Sequence, residues 1–144
     1  DPRPPATGGG TAMMEALARI LGPKGLLRDE AQMQPFLTEW RDSYTGKTAA
    51  VLLPETTAQV AAILAWAQDH NAAIVTQGGN TGLTGGQIPF ESGQELLLSL
   101  DRMAAVRGLW PDENAITVDA GTATPSHTET SPIVAAVKKL TGTA

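Results

Sequence analysis

Apolar positions change their spacing along this chain, from a helical period to a strand period and back. Met13, Met14, Leu17, Ile20 and Leu21 recur on one helical face, and Gly22-Pro23 stops them, which predicts a helix from Ala12 to Leu21. Asp29 is a residue type that caps a first turn, so a second short helix is expected from Asp29 to about Gln34. Pro35 ends or restarts it. Phe36, Leu37 and Trp40 follow as an apolar cluster, and Trp40 and Tyr44 read as packing residues.

The run Ala49 to Leu53, closed by Pro54, predicts a buried strand. Thr56 and Gln59 then form a capping-box pattern. Val60, Ile63, Leu64 and Ala67 follow at the spacing that packs a helix on a sheet. His70 and Asn71 read as the end of this helix. Ile74-Val75 is a second buried strand, and strand, helix and strand with short joints imply a parallel βαβ unit. Leu96 to Leu100 is a third buried strand. Ala105 to Trp110 and Ala115 to Asp119 flank Pro111-Asp112-Glu113-Asn114 and predict an antiparallel hairpin, with Asp112 and Glu113 as solvated turn residues. The fold class expected is α+β: a small parallel βαβ sheet with packed helices, then the start of an antiparallel sheet.

Both ends differ from this patterned middle. Residues 1–11 are rich in Pro and Gly and read as a flexible lead, with Met13 as a candidate translation start. Residues 123–144 read as a Thr-rich loop, with His127 exposed in it, and a short helix from Ser131 to Leu140.

Composition narrows the chemistry. With 144 residues, 42% hydrophobic and 17% charged, the chain has the balance of a globular domain. A net charge of −5 argues against nucleic acid as a partner. No cysteine and only two histidines argue against thiolate chemistry or a zinc site. No apolar stretch reaches the roughly 18 residues of a membrane span, and no secretory pattern opens the chain, so a cytoplasmic location is the expectation.

One stretch stands out chemically. Gln77-Gly78-Gly79-Asn80-Thr81-Gly82-Leu83-Thr84-Gly85-Gly86 follows the second strand directly. Glycine lets other atoms approach the main chain, and successive N–H groups in such a loop can form a nest for an anion. The carboxyl end of a strand is also where open α/β sheets place ligands. The spacing matches neither the Walker A loop nor the dinucleotide fingerprint, since no Gly-Lys-Ser/Thr closes it and Gln87-Ile88-Pro89 stands where a helix should start. Asn80 and Thr81 offer side-chain donors beside the amides.

The order Trp40-Arg41-x-x-Tyr44-x-Gly46, Pro54-x-x-Thr57-x-x-Val60, the Gln77–Gly86 loop, Leu98-Ser99-Leu100-x-Arg102-Met103 and Val118-x-Ala120-Gly121 carries a resemblance. Over about residues 13–122 the chain resembles the FAD-linked oxidases of the vanillyl-alcohol oxidase (PCMH) type. Within them it is most similar to the D-2-hydroxyacid dehydrogenases, which include D-lactate and D-2-hydroxyglutarate dehydrogenases and the flavin subunit of glycolate oxidase.

The resemblance implies that residues 12–122 are the N-terminal part of a PCMH-type FAD-binding domain, with FAD as cofactor. Gly78, Gly79, Asn80, Thr81 and Gly82 would wrap the FAD pyrophosphate, following Gln77, with Gly86 and Gln87 completing the turn. Pro54 would lie near the adenosine half, and Ala120 and Gly121 near the flavin. The family's reaction takes a hydride from a small 2-hydroxy acid and yields a 2-oxo acid. The second glycine-rich segment and the substrate domain of the family are missing here, and the tail from Ala123 departs from its pattern. The expectation is therefore a truncated chain without an intact active site, exposing a face through which it self-associates. The alternatives are a non-catalytic module that binds a nucleotide or flavin, and an inert fragment.

Overall fold

The computed structural model describes residues 10–113 and 115–122. The loop with His127 and the helix Ser131 to Leu140 lie outside them, as do residues 1–9 of the lead expected over 1–11, of which Thr11 instead opens the first helix.

Helix α1 spans Thr11–Leu21 and buries Met14, Leu17 and Leu21; Gly22 ends it at φ 74°, donating its N–H to Ala18. A two-residue strand that the pattern did not predict, β1 (Leu26–Leu27), follows. Helix α2 spans Glu30–Leu37, and the Asp29 side chain caps it by accepting the Gln32 N–H at 3.1 Å. The helix runs through Pro35 rather than stopping there. Met33 and Leu37, one turn apart, are buried, and that packing holds the last turn where propensity alone would not.

Strand β2 (Val51–Leu52), helix α3 (Thr57–Asp69) and strand β3 (Ala73–Gln77) give the expected strand–helix–strand order. The Thr56 hydroxyl caps α3 by accepting the Gln59 N–H at 3.2 Å, while the Gln59 side chain accepts the N–H of Glu55. The buried face of α3 is Ile63, Trp66 and Ala67, and Leu64 is 47% exposed. The expected stripe is thus rotated toward Trp66, whose larger ring removes more apolar area from water and stacks on His70 at 4.6 Å. His70 closes the helix, as read.

Strand β4 (Glu95–Ser99) sits inside the expected parallel βαβ unit. The sheet order is β1-β2-β4-β3, with β4 parallel to both β2 and β3, so β2 and β3 are parallel but not neighbours. Leu96, Leu97 and Leu98 are each at most 1% exposed, so their strand needs cover on both faces and both edges. The half-buried β3 takes the edge instead. Alternation along β2 and β4 separates two cores. Leu52, Leu96 and Leu98 meet α1 and α3 on one side, while Val51 and Leu97 meet Met33 and Leu37 of α2 on the other.

The expected hairpin is present as β5 (Val106–Trp110) and β6 (Ala115–Val118), antiparallel, with a register irregularity between Val106 and Gly108. Arg107 grips Asp119 with two hydrogen bonds of 2.7 and 2.8 Å. That bidentate contact, with the Ala105 N–H adding to it, holds the Asp119 carboxyl below its ordinary range against the opposing effect of burial.

Candidate cofactor site

The carboxyl ends of β2, β4 and β3 open on one edge of the sheet, and the glycine loop leaves β3 there. Its shape is set by side chains of its own. Gln87 Nε2 donates to the Gly82 carbonyl at 2.7 Å and to Asn80 Oδ1 at 3.2 Å. Asn80 Nδ2 donates to the Thr38 carbonyl at 2.9 Å, and Asn80 itself has a left-handed φ of 54°. Gln77, only 2% exposed, donates its side-chain amide to the carbonyls of Phe36 and Gln87.

These bonds change the reading of the loop. The sequence offered the Asn80 side chain as a donor toward a ligand, but the fold spends it on Thr38. Gln77 and Gln87 likewise spend their amides within the protein. What remains is the exposed Thr81 hydroxyl and the main chain: the N–H groups from Gly78 to Gln87 have no hydrogen-bond partner among the described residues. Fixed polar side chains thus hold a row of free N–H donors, which is what two adjacent phosphate charges require.

Two glycines mark close approaches. A Cβ at Gly78 would lie 3.1 Å from the Ala120 carbonyl, so the start of the loop touches the Ala120-Gly121 turn. A Cβ on Gly121 would fall on the Leu100 carbonyl oxygen, and the Gly121 N–H donates to Met103. The Leu100 N–H in turn donates to the Gln77 carbonyl, so loop, β4 exit and Ala120-Gly121 turn form one body. Pro54 is fully buried at the end of β2. With β4 between them, the ends of β2 and β3 are roughly 10 Å apart. Arg102, beyond β4, donates to the Leu53 carbonyl and pairs with Glu55, fixing the chain on either side of Pro54. Thr81 and Gly82 are exposed, and a Cβ at Gly86 would meet nothing within 4 Å.

A strap from Leu37 to Gly46, whose Trp40-Arg41-x-x-Tyr44-x-Gly46 motif pointed to the family but not to the site, lies against the loop. Thr38 bridges to Thr45, Glu39 N–H donates to the Tyr44 carbonyl, and Gly46 N–H to that of Leu37. Tyr44 is 49% and Trp40 72% exposed, so neither is the core residue expected. The Tyr44 ring instead covers Gly85, at which a Cβ would lie 2.8 Å from the ring. Strap and loop wall a cleft of about 580 Å³ that includes Tyr44, Gly85 and Phe90.

Residues 48–129 match the family model described as the FAD binding domain. The chain belongs to that family. FAD is its cofactor, and the free N–H row of this FAD-binding domain suits it. A mitochondrial D-2-hydroxyglutarate dehydrogenase of Bos taurus is 32% identical over 108 residues, covering 75% of this chain and 19% of its own length. That of Arabidopsis thaliana is 40% identical over 70 residues, covering 49% of this chain and 12% of its own. The chain spans about a fifth of the length of such relatives. Among solved structures, p-cresol methylhydroxylase superposes with a TM-score of 0.72 at 15% identity, over 93% of this chain and 26% of its own, which shows the shared fold.

Proposed function

We propose that the Gly78–Gly82 main chain, with Gly86 and Gln87, holds the FAD pyrophosphate, with Pro54 on the adenosine side and Ala120 and Gly121 on the flavin side. The observation that carries this reading is the row of N–H groups from Gly78 to Gln87, unpartnered among the described residues, at the carboxyl end of β3. In the whole protein the reaction is oxidation of a small D-2-hydroxy acid to the 2-oxo acid, as the names of the relatives suggest. When bound, FAD supplies the acceptor for the hydride leaving the carbon that bears the hydroxyl. The residues of this chain contribute orientation: the loop fixes the phosphates, and the rigid contact from Gln77 through Leu100 to Gly121 fixes the flavin end relative to them.

FAD titration followed by visible absorbance and flavin fluorescence tests this. Saturable binding that is lost in Gly86→Val, with the melting temperature of the free protein unchanged, is the expected result. Equal binding by both proteins would remove the loop from the site. Self-association belongs to the same reading: Trp40 and Phe90, 72% and 73% exposed, are apolar surface available to a second copy. Sedimentation of the wild type and a Trp40→Ser, Phe90→Ser double variant tests it, and identical mass distributions would count against it.

A further inference from the structure

Glu39 is a carboxylate buried to 1% exposure that makes no salt bridge among the described residues, although the charge of the nearby Arg41 favours its ionised form. Its two oxygens accept main-chain N–H groups instead, from Arg41 at 2.8 Å and Ser43 at 2.7 Å. Both donors belong to the turn at the tip of the strap, where Asp42 is held at a left-handed φ of 56°. The Glu39 N–H to the Tyr44 carbonyl, the Gly46 N–H to the Leu37 carbonyl and the Thr38–Thr45 bridge close the neck of the strap, whereas at its tip the two carboxylate bonds act, among the described residues, beside only the Asp42 N–H to the Glu39 carbonyl. A buried charge held mainly by backbone donors is costly to build, so its place in the structure calls for a role.

The strap touches the glycine loop at both of its ends. Next to Glu39, the Thr38 carbonyl receives the Asn80 side chain, which fixes the first half of the loop. At the other side of the turn, Tyr44 lies on Gly85, whose φ is 74°, and Gly46 lies against the Pro89 carbonyl, which fixes the second half. Thr38 and Tyr44 are held in register by the Glu39 N–H bond to Tyr44 and by the Thr38–Thr45 bridge.

We infer that Glu39 is a positioning residue for the FAD loop: by closing the 40–44 turn it keeps Thr38 on Asn80 and Tyr44 on Gly85, and so sets the spacing of the N–H row. The inference rests on the loop being the FAD pyrophosphate site. Its first consequence, however, is a property of the loop that can be read without FAD.

The test uses the full chain with Glu39→Gln, which keeps shape and volume but replaces a charged double acceptor by a neutral amide. Hydrogen exchange of the Asn80 side-chain amide, resolved by nitrogen-15 NMR, reports the Thr38 contact. The Leu97 N–H, bonded to Ala50 in the sheet, serves as the internal standard. Exchange at Asn80 should quicken roughly tenfold or more, the scale of a hydrogen bond to a charged group, while Leu97 is unchanged. FAD should bind weaker by a similar factor. Glu39→Asp retains the charge one methylene further back; it should recover part of both properties, and it carries the test should Glu39→Gln fail to fold. Asn80 protection equal to wild type in both variants would overturn the inference. So would unchanged FAD affinity in Glu39→Gln when Gly86→Val abolishes binding. If the wild type binds no FAD, the proposed loop function fails, and the exchange comparison still decides the role of Glu39.

Discussion

Gln87 donates one side-chain amide to both the Gly82 carbonyl, at 2.7 Å, and the Asn80 side-chain oxygen, at 3.2 Å, tying the end of the glycine loop to its middle. Glycines make the loop able to bend; this amide decides where it stays bent. Gln87→Ala should therefore cost only about 1 kcal/mol of stability, the net worth of such bonds, yet weaken FAD binding by roughly tenfold, because the freed loop must be ordered on binding. Parallel urea unfolding and FAD titration check the two effects. A stability loss with unchanged FAD affinity would separate Gln87 from the site.

Gly121 and Gly86 should respond in opposite ways to alanine. A methyl group at Gly121 falls on the Leu100 carbonyl, whereas at Gly86 it meets nothing within 4 Å. Gly121→Ala is expected to destabilise by about 3 kcal/mol or more, the upper range for overpacking against a rigid backbone. Gly86→Ala should stay within about 0.5 kcal/mol of wild type. Urea midpoints of the two variants provide the comparison.

The rotated face of α3 predicts an unequal pair of neighbours. Ile63 is fully buried against the sheet and Leu64 is 47% exposed. Ile63→Ala should cost about 2–5 kcal/mol, while Leu64→Ala should remain below about 1 kcal/mol. Similar losses at both positions would restore the stripe read from the sequence.

Stability should fall on acidification through two carboxylates. The Arg41 N–H is the main group holding Glu39 below its ordinary value of 4.5, burial opposes it, and the Ser43 N–H adds to it. The hydrogen bonds from Arg107 hold Asp119 below its ordinary 3.8 in the same way. A lowered folded value means that the unfolded chain takes up protons first, so this stability is complete above pH 4.5 and is lost as pH falls through the lowered values. Urea midpoints followed from pH 7 downward should decline less steeply in Glu39→Gln and Asp119→Asn than in wild type. Parallel curves would mean that neither group contributes.

By itself the sequence determined the elements: the α1 face, the capping of α3 by Thr56, the three strands, of which β2 and β4 are buried and β3 half-buried, and the hairpin are all written in local spacing. It also marked the glycine loop, because a row of glycines after an apolar run has few structural explanations, and the motifs around it pointed to the family. Local signals act over a few residues, and there the reading held. Tertiary structure decided what depends on distant partners. Burial of Leu96, Leu97 and Leu98 on both faces put β4 between β2 and β3. The larger ring of Trp66 turned α3, and packing of Met33 and Leu37 carried α2 past Pro35. At the site, the contacts of Asn80 with Thr38 and of Gln77 with Phe36 join residues 42 and 41 positions apart. Those long-range bonds made struts of the Asn80 and Gln77 side chains and brought the strap, with Glu39 in it, against the loop, a contact that no local pattern in the sequence had shown.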